Sequence, residues 1–296
     1  SQRSKLWKKN NMFPHVLVMT ATPIPRTLAM TAYGDLDVSV IDELPPDRKD
    51  ISTVHKYEKD IQQVFQFVYK ELKASKQVYI VYPLIEESKV LDYKNLLAGY
   101  ENVKAIFENK GFQISIMHGR LKKEEKQKVM QKFLNKETQI MVATTVIEVG
   151  VDVPNATIMV IQNSEKFGLS QLHQLRGRVG RSNTQSTCIL LYKENLGENA
   201  KKRIKTMKET NDGFKIAEYD LKLRGPGEIL GKKQSGLPSF LMADLSFDAD
   251  LLEEVRKTVD LISLTDPKLK TNNGKNLKNL LYLFEKDSAI KTLLAG

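Results

Sequence analysis

The sequence predicts an α/β fold, a parallel sheet with flanking helices followed by a helical hairpin, a loop and C-terminal helices. Three observations point to it. Short β-rich runs recur through the first two-thirds of the chain, at 15–20, 77–82, 114–118, 139–144, 157–162 and 187–192. Most are continuous in apolar residues rather than alternating, as strands buried on both faces of a parallel sheet are. Helical patterns lie between them, and strands alternating with helices define a layered α/β sheet with right-handed crossovers.

The elements follow in order. The run 15–20 ends in Met19-Thr20-Ala21-Thr22, whose hydroxyls project at a strand tip, where α/β folds place ligands. A polar turn with a proline stop is the alternative. Pro23, Pro25, Gly34, Pro45 and Pro46 then break the rhythm, so 23–50 reads as a linker around one short helix. Residues 59–73 put Ile61, Val64, Phe65, Val68 and Leu72 on one stripe, and 122–134 does the same with Val129, Met130 and Phe133. After Tyr192 the strand rhythm stops. Residues 201–210 are helical, Gly213 breaks the pattern, and Gly225, Pro226, Gly227, Gly231, Gly236 and Pro238 make a loop-rich stretch. Two amphipathic patterns, 248–264 and 277–294, end the chain, and no internal repeat is present.

Composition bounds the function. A chain of 296 residues suggests two domains, or one with an appendage, and 41% hydrophobic residues supply a core. One cysteine, Cys188, excludes a disulfide scaffold and favours a reducing compartment. No apolar stretch reaches the length of a membrane span, and the opening residues do not form a signal peptide. They also lack an initiator Met, which predicts a chain cut from something longer. The net charge is +10, and the stretch from Lys201 to Lys233 holds ten basic against five acidic residues, half of that excess. Phosphate backbones are the commonest partner for such a cluster, and a solvated helix face is the other reading.

Several runs carry chemistry. His118-Gly119-Arg120 ends one strand. Thr144 and Thr145 end another, before a short helix and a turn at Gly150 and Asp152 that can offer a carboxylate to a ribose or amides to a phosphate. The run Gln174-Leu175-Arg176-Gly177-Arg178-Val179-Gly180-Arg181 spaces three arginines with glycines, which suits bidentate grip on a polyphosphate; a basic loop for nucleic-acid backbone is the alternative. Two imitations are set aside. Val38-Ser39-Val40-Ile41-Asp42-Glu43 mimics a magnesium-binding strand end but precedes Leu-Pro-Pro, and Gly225–Lys232 mimics a phosphate loop with the wrong spacing. No GxxxxGK[ST] occurs. The histidines His15, His55, His118 and His173 show no metal-ligand spacing.

The Thr-Ala-Thr, Gly150/Asp152 and arginine runs resemble, in order and separation, the third, fifth and sixth motifs of superfamily 2 helicases. The run from Asp212 through Leu223-Arg224-Gly225-Pro226-Gly227-Glu228 to Gly231, then Gln234-Ser235-Gly236, is similar to the translocation motif shared by the RecG family and the transcription-repair coupling factor Mfd. Gly34–Pro46, Val78–Ser88 and Pro226 resemble the RecG family. That resemblance implies a RecA-like, P-loop-NTPase-type lobe at 51–196. It places the end of a first motor lobe and a linker at 1–50, a translocation hairpin and loop at 197–240, and a helical segment at 241–296.

It further implies a motor driven by ATP and Mg2+, with the Mg2+ ligands on a first lobe that this chain lacks. Arg178, Arg181 and Gln174 would serve catalysis, one arginine as a finger to the γ-phosphate. Gly150 and Asp152 would join Arg178 and Arg181 on the nucleotide. Thr20, Thr22, Arg203, Arg224 and Gln234 would couple hydrolysis to movement, Arg224 having a buried capping cation as its other reading. His118, Gly119, Thr144 and Thr145 would face DNA. Closure of the cleft would move the hairpin and lever the loop along duplex DNA. The implied partner is branched double-stranded DNA, replication forks and Holliday junctions, for a bacterial, cytoplasmic, nucleoid-associated protein, monomeric when full-length. The 296-residue chain by itself would hydrolyse no ATP. Three other readings stay open: a DNA- or nucleotide-binding module, an Mfd-like double-stranded DNA translocase, and a regulatory lobe.

Overall fold

The continuous apolar runs become a six-stranded, wholly parallel sheet in the computed structural model, with strand order β1-β6-β5-β2-β4-β3. The structure describes residues 49–84, 89–144, 153–181, 183–224 and 249–283, and the single positions 17, 39, 41 and 43. The strand read at 15–20, most of the linker at 23–50 and the loop at 225–248 lie outside them. The strands are β1 (Ser52–Tyr57), β2 (Gln77–Val81), β3 (Ile114–Met117), β4 (Ile140–Ala143), β5 (Ala156–Ile161) and β6 (Thr187–Tyr192). Between and after them lie α1 (Ile61–Lys73), α2 (Lys89–Phe107), α3 (Lys123–Leu134), α4 (Leu169–Arg176), α5 (Glu198–Glu209), α6 (Gly213–Arg224), α7 (Ala249–Thr265) and α8 (Asn272–Leu283).

The period-2 alternation of strands divides the core into two layers. Val78, Ile80, Ile140, Val142, Ile158, Val160, Ile189 and Leu191 face one way and pack on α1 and α2 through Val64, Phe65, Val68, Leu96, Val103 and Phe107. Tyr79, Val81, Met141, Met159, Ile161, Cys188 and Leu190 face the other way. They pack on Phe133 of α3, on Leu169, Leu172 and Leu175 of α4, and on Ile204, Met207 and Ile216 of α5 and α6. The hairpin α5–α6 therefore shares the core of the sheet. Burial pushes the Cys188 thiol up to about 12.

Two elements depart from the sequence reading. β1 was not anticipated because it is an edge strand: its burial alternates, Val54 and Tyr57 are exposed, and no apolar run marks it. Its register with β6, Ser52 opposite Thr187 through Tyr57 opposite Tyr192, is nonetheless complete. Helix α2 lacks a clear apolar stripe and carries Gly99 in its interior. The glycine has a packing reason, since a Cβ there would collide with the Tyr82 ring.

Candidate nucleotide and DNA surfaces

The arginine run is built on α4. Leu169, Leu172 and Leu175 bury the inner face of that helix, and its start is capped where the Gly168 N–H donates to Gln171 Oε1 at 3.0 Å. Arg176 falls on the same inward face, seven residues after Leu169 and four after Leu172. It is 2% exposed. Its Nη1 donates to the carbonyl oxygens of Met207 at 2.7 Å and Thr210 at 2.9 Å, and to Thr53 Oγ1 at 3.3 Å. Its Nη2 lies 3.3 Å from His173 Nδ1. The expectation that all three arginines address a polyphosphate is thus corrected for Arg176: its guanidinium is spent on the orphan carbonyls at the C-terminal end of α5. Burial, and then the Arg176 cation, push His173 down to about 4, against a smaller opposing pull from Asp212.

Arg178 and Arg181 leave the helix beyond Arg176. Arg178 is half-buried and Arg181 exposed, its Nε–H donating to the Gly177 carbonyl at 3.2 Å. Gln174 is half-buried one turn back. The turn between the arginines needs Gly180: its φ is +75°, and a Cβ would meet Ile51 Cγ1 at 2.6 Å. Gly177 has no such need, with an ordinary φ of −67° and only van der Waals neighbours at 3.5 Å. Ile51 and Ser186, which flank Gly180, immediately precede β1 and β6. The arginine pair therefore ends beside the N-terminal edge of the outer strands.

Of the residues expected to face DNA, His118, Gly119 and Thr144 occupy the opposite edge. His118 follows β3 and Thr144 follows the neighbouring β4, brought together where the Thr144 N–H donates to the Met117 carbonyl at 3.2 Å. Gly119 lies in the exposed loop beyond, its carbonyl accepting from Lys126 Nζ at 3.2 Å. His118 is buried against Tyr93 of α2 in an edge-on ring contact at 5.0 Å, and the Arg120 guanidinium lies 4.2 Å from the centre of the same Tyr93 ring. Burial first, then Arg120 and Lys126, hold His118 below its usual range, so it is neutral near pH 7.

Sequence reasoning missed Tyr93, Gln162 and Ser164 at this edge. Gln162 extends β5, its N–H donating to the Val81 carbonyl at 2.8 Å. Among the described residues, the buried atoms His118 Nδ1, Thr144 Oγ1, Gln162 Nε2 and Ser164 Oγ find no hydrogen-bond partner. A buried polar group left so costs about 1–3 kcal/mol, and such groups are rare away from ligand sites. Three follow adjacent or near-adjacent strands, in the order β3, β4, β5.

The hairpin is tied to the lobe from three sides. Arg203 Nη2 donates to the Glu165 carbonyl at 2.8 Å, so this predicted coupling residue reaches the β5–α4 connection. Arg176 holds the end of α5, and Ser170 Oγ of α4 donates to Asp220 Oδ2 of α6 at 2.6 Å. Asp212 caps α6, accepting from the Phe214 N–H at 2.8 Å. The lysines of α5 are solvated: Lys201 pairs with Glu198 at 2.9 Å and Lys205 with Glu209 at 3.7 Å, surface pairs that contribute little. Arg224 is the last residue of α6. Thr20, Thr22, Thr145, Gly150, Asp152 and Gln234 lie outside the described residues. Among the described residues no group of three or more His, Cys, Asp or Glu could hold a metal ion, and no helix is long and apolar enough to cross a membrane.

A parallel sheet with an arginine-bearing turn before its last strand has the architecture of a helicase motor lobe. The family model described as helicase conserved C-terminal domain matches residues 59–183, and that described as ATP-dependent DNA helicase RecG, domain 3, C-terminal matches residues 210–288. The chain is 50% identical over 286 residues to the ATP-dependent DNA helicase RecG of Synechocystis sp., covering 96% of this chain and 34% of that one. It is 48% identical over 260 residues to the protein of the same name from Escherichia coli, covering 86% and 37%. The structure of RecG bound to a three-way DNA junction superposes with a TM-score of 0.63 at 48% identity, covering 79% of this chain and 30% of that one. The chain belongs to the RecG family, and it spans about a third of the length of these relatives.

Proposed function

We propose that this chain is the C-terminal motor part of an ATP-dependent DNA helicase that remodels branched double-stranded DNA, regressing forks and migrating Holliday junctions. The observation that carries the reading is the separation of two surfaces on one sheet. Cations suited to phosphate, Arg178 and Arg181, end beside the N-terminal edge of β1 and β6, while unpartnered polar groups line the C-terminal edge after β3, β4 and β5. Strands of four to six residues hold these surfaces roughly 13–20 Å apart. Nucleotide at one edge and DNA at the other is what a motor lobe requires.

In this reading residues 51–196 form the second motor lobe, 197–240 the translocation element, and 1–50 and 241–296 its flanking segments. Arg178 and Arg181 stabilise charge on the terminal phosphate of ATP, one as the finger, with Gln174 beside them. Gly150 and Asp152 line the same nucleotide. His118, Gly119, Thr144 and Thr145 meet the DNA backbone, where phosphate oxygens would satisfy the buried Thr144 hydroxyl and the Gln162 amide. Thr20, Thr22, Arg203, Arg224 and Gln234 couple the two. No step is assigned to Mg2+ on this lobe, whose described residues do not fit one. The protein works in the bacterial cytoplasm as a monomer on the nucleoid. The RecG-specific match over 210–288 favours this reading over an Mfd-like translocase.

The test is DNA-stimulated ATP hydrolysis by the full-length protein. Three- and four-way junctions are expected to stimulate it more than linear duplex of equal length and to be remodelled in the same reaction. Equal stimulation with no remodelling would overturn the proposal.

A further inference from the structure

Helix α4 carries the arginine pair at its C-terminal end and touches both arms of the hairpin. At its last residue Arg176 bonds the carbonyls that end α5, and in its first turn Ser170 Oγ donates to Asp220 Oδ2 of α6. Leu169 and Leu172 of α4 and Ile216 of α6 are also buried in one core cluster. Apolar side chains are adaptable, and volume-conserving shifts among them cost little. A buried carboxylate is different. Asp220 is 4% exposed, and a carboxylate taken out of water that far is stable only in an arrangement that keeps its hydrogen bonds. The 2.6 Å bond to Ser170 therefore selects one register of α6 on α4.

We infer that Asp220 is a positioning residue: through Ser170 it fixes the translocation hairpin to the arginine-bearing helix, so that the displacement of Arg178 and Arg181 passes to the hairpin as motion of one body. This rests on the reading of the protein as an ATP-driven DNA motor. A hairpin bonded to both ends of α4 is carried with the lobe, which is how cleft closure would move it. The arginines do not depend on the bond for their own placement. Leu169, Leu172 and Leu175 hold α4 in the core whether or not Ser170 meets Asp220. Losing the bond should leave hydrolysis and lose work.

The experiment compares Asp220→Ala, Asp220→Asn and Ser170→Ala with the unsubstituted full-length protein, reading kcat and KM for DNA-stimulated ATP hydrolysis and the forks regressed per ATP consumed. Both alanine variants are expected to hydrolyse ATP with nearly unchanged kcat and KM while regressing about tenfold fewer forks per ATP, the ratio one charged hydrogen bond sustains. Asp220→Asn, which keeps the acceptor for Ser170, is expected to restore most of the yield. Unchanged yield in either alanine variant, an Asn variant as defective as Ala, or hydrolysis and regression falling in parallel would each overturn the inference. If the unsubstituted protein neither hydrolyses ATP nor regresses forks, the motor reading itself fails.

Discussion

Arg176 Nη1 lies 2.7 Å from the carbonyl oxygen of Met207, and this bond joins the helix of the arginine run to the end of the first hairpin helix. A guanidinium suits the position because its fork places Nη1 on the Met207, Thr210 and Thr53 oxygens and Nη2 beside His173 Nδ1, two sites that one ammonium nitrogen cannot occupy. The last carbonyls of a helix have no partner within it, so the side chain satisfies the end of α5 and fastens it to the sheet at once.

Arg176→Ala is therefore expected to lower stability by roughly 2–4 kcal/mol, by stranding two carbonyls and opening a cavity. Urea midpoints measured at constant m-value would show it, and hydrogen exchange should quicken first at residues 207–210. Arg176→Lys should recover less than half of the loss.

Arg181→Ala in the full-length protein is expected to leave DNA affinity unchanged and to slow ATP turnover by roughly 10³-fold or more, the range for an arginine finger. Near-normal turnover would transfer the role to Arg178, whose alanine variant serves as the companion measurement.

His173 sets a pH dependence. Its folded pKa of about 4 lies below the unfolded 6.5, so the unfolded chain binds the proton first. The stabilisation is fully present above pH 6.5 and is lost as pH falls towards 4, by about 3 kcal/mol in all. The physical cause is first the burial of the ring and then the Arg176 cation 3.3 Å from Nδ1, both of which disfavour a protonated imidazole. Chemical denaturation at pH 7.5 and 4.5 should show a smaller difference for His173→Gln than for the unsubstituted chain; equal differences would rule the assignment out.

Gly180→Ala should destabilise by roughly 1–3 kcal/mol, because the +75° φ and the Ile51 side chain both oppose a Cβ. Adding Ile51→Ala relieves the collision and leaves the backbone strain, so only part of the loss should return. ATP turnover should fall with Gly180→Ala, since the turn aims Arg181.

Much of the sheet was legible because β2, β4 and β5 are buried throughout and β6 at every residue after its first, and uninterrupted Val-, Ile- and Met-rich runs announce that condition. β1 was not, since Ser52, Lys56 and His55 reflect an edge that is half solvated. Helix α2 was not, since Gly99 serves Tyr82 rather than its own helix. The inward turn of Arg176 did have a local signal: it shares the spacing of Leu169 and Leu172, the face that meets the core. Reading the arginines as one chemical group hid it.

By itself the sequence determined the alternation of strands and helices, the residue types for gripping phosphate, and the family that Gln174–Arg181 and Asp212–Gly231 resemble. Those properties are written in short windows, where side-chain period and local spacing record which face is buried. Only the tertiary structure decided which arginine holds the fold and which leave it, that the arginine pair and the polar edge after β3, β4 and β5 lie at opposite ends of the sheet, and that Ser170 meets Asp220 fifty residues away. Contacts across such separations depend on how whole elements pack, and no local pattern in the chain encodes that packing.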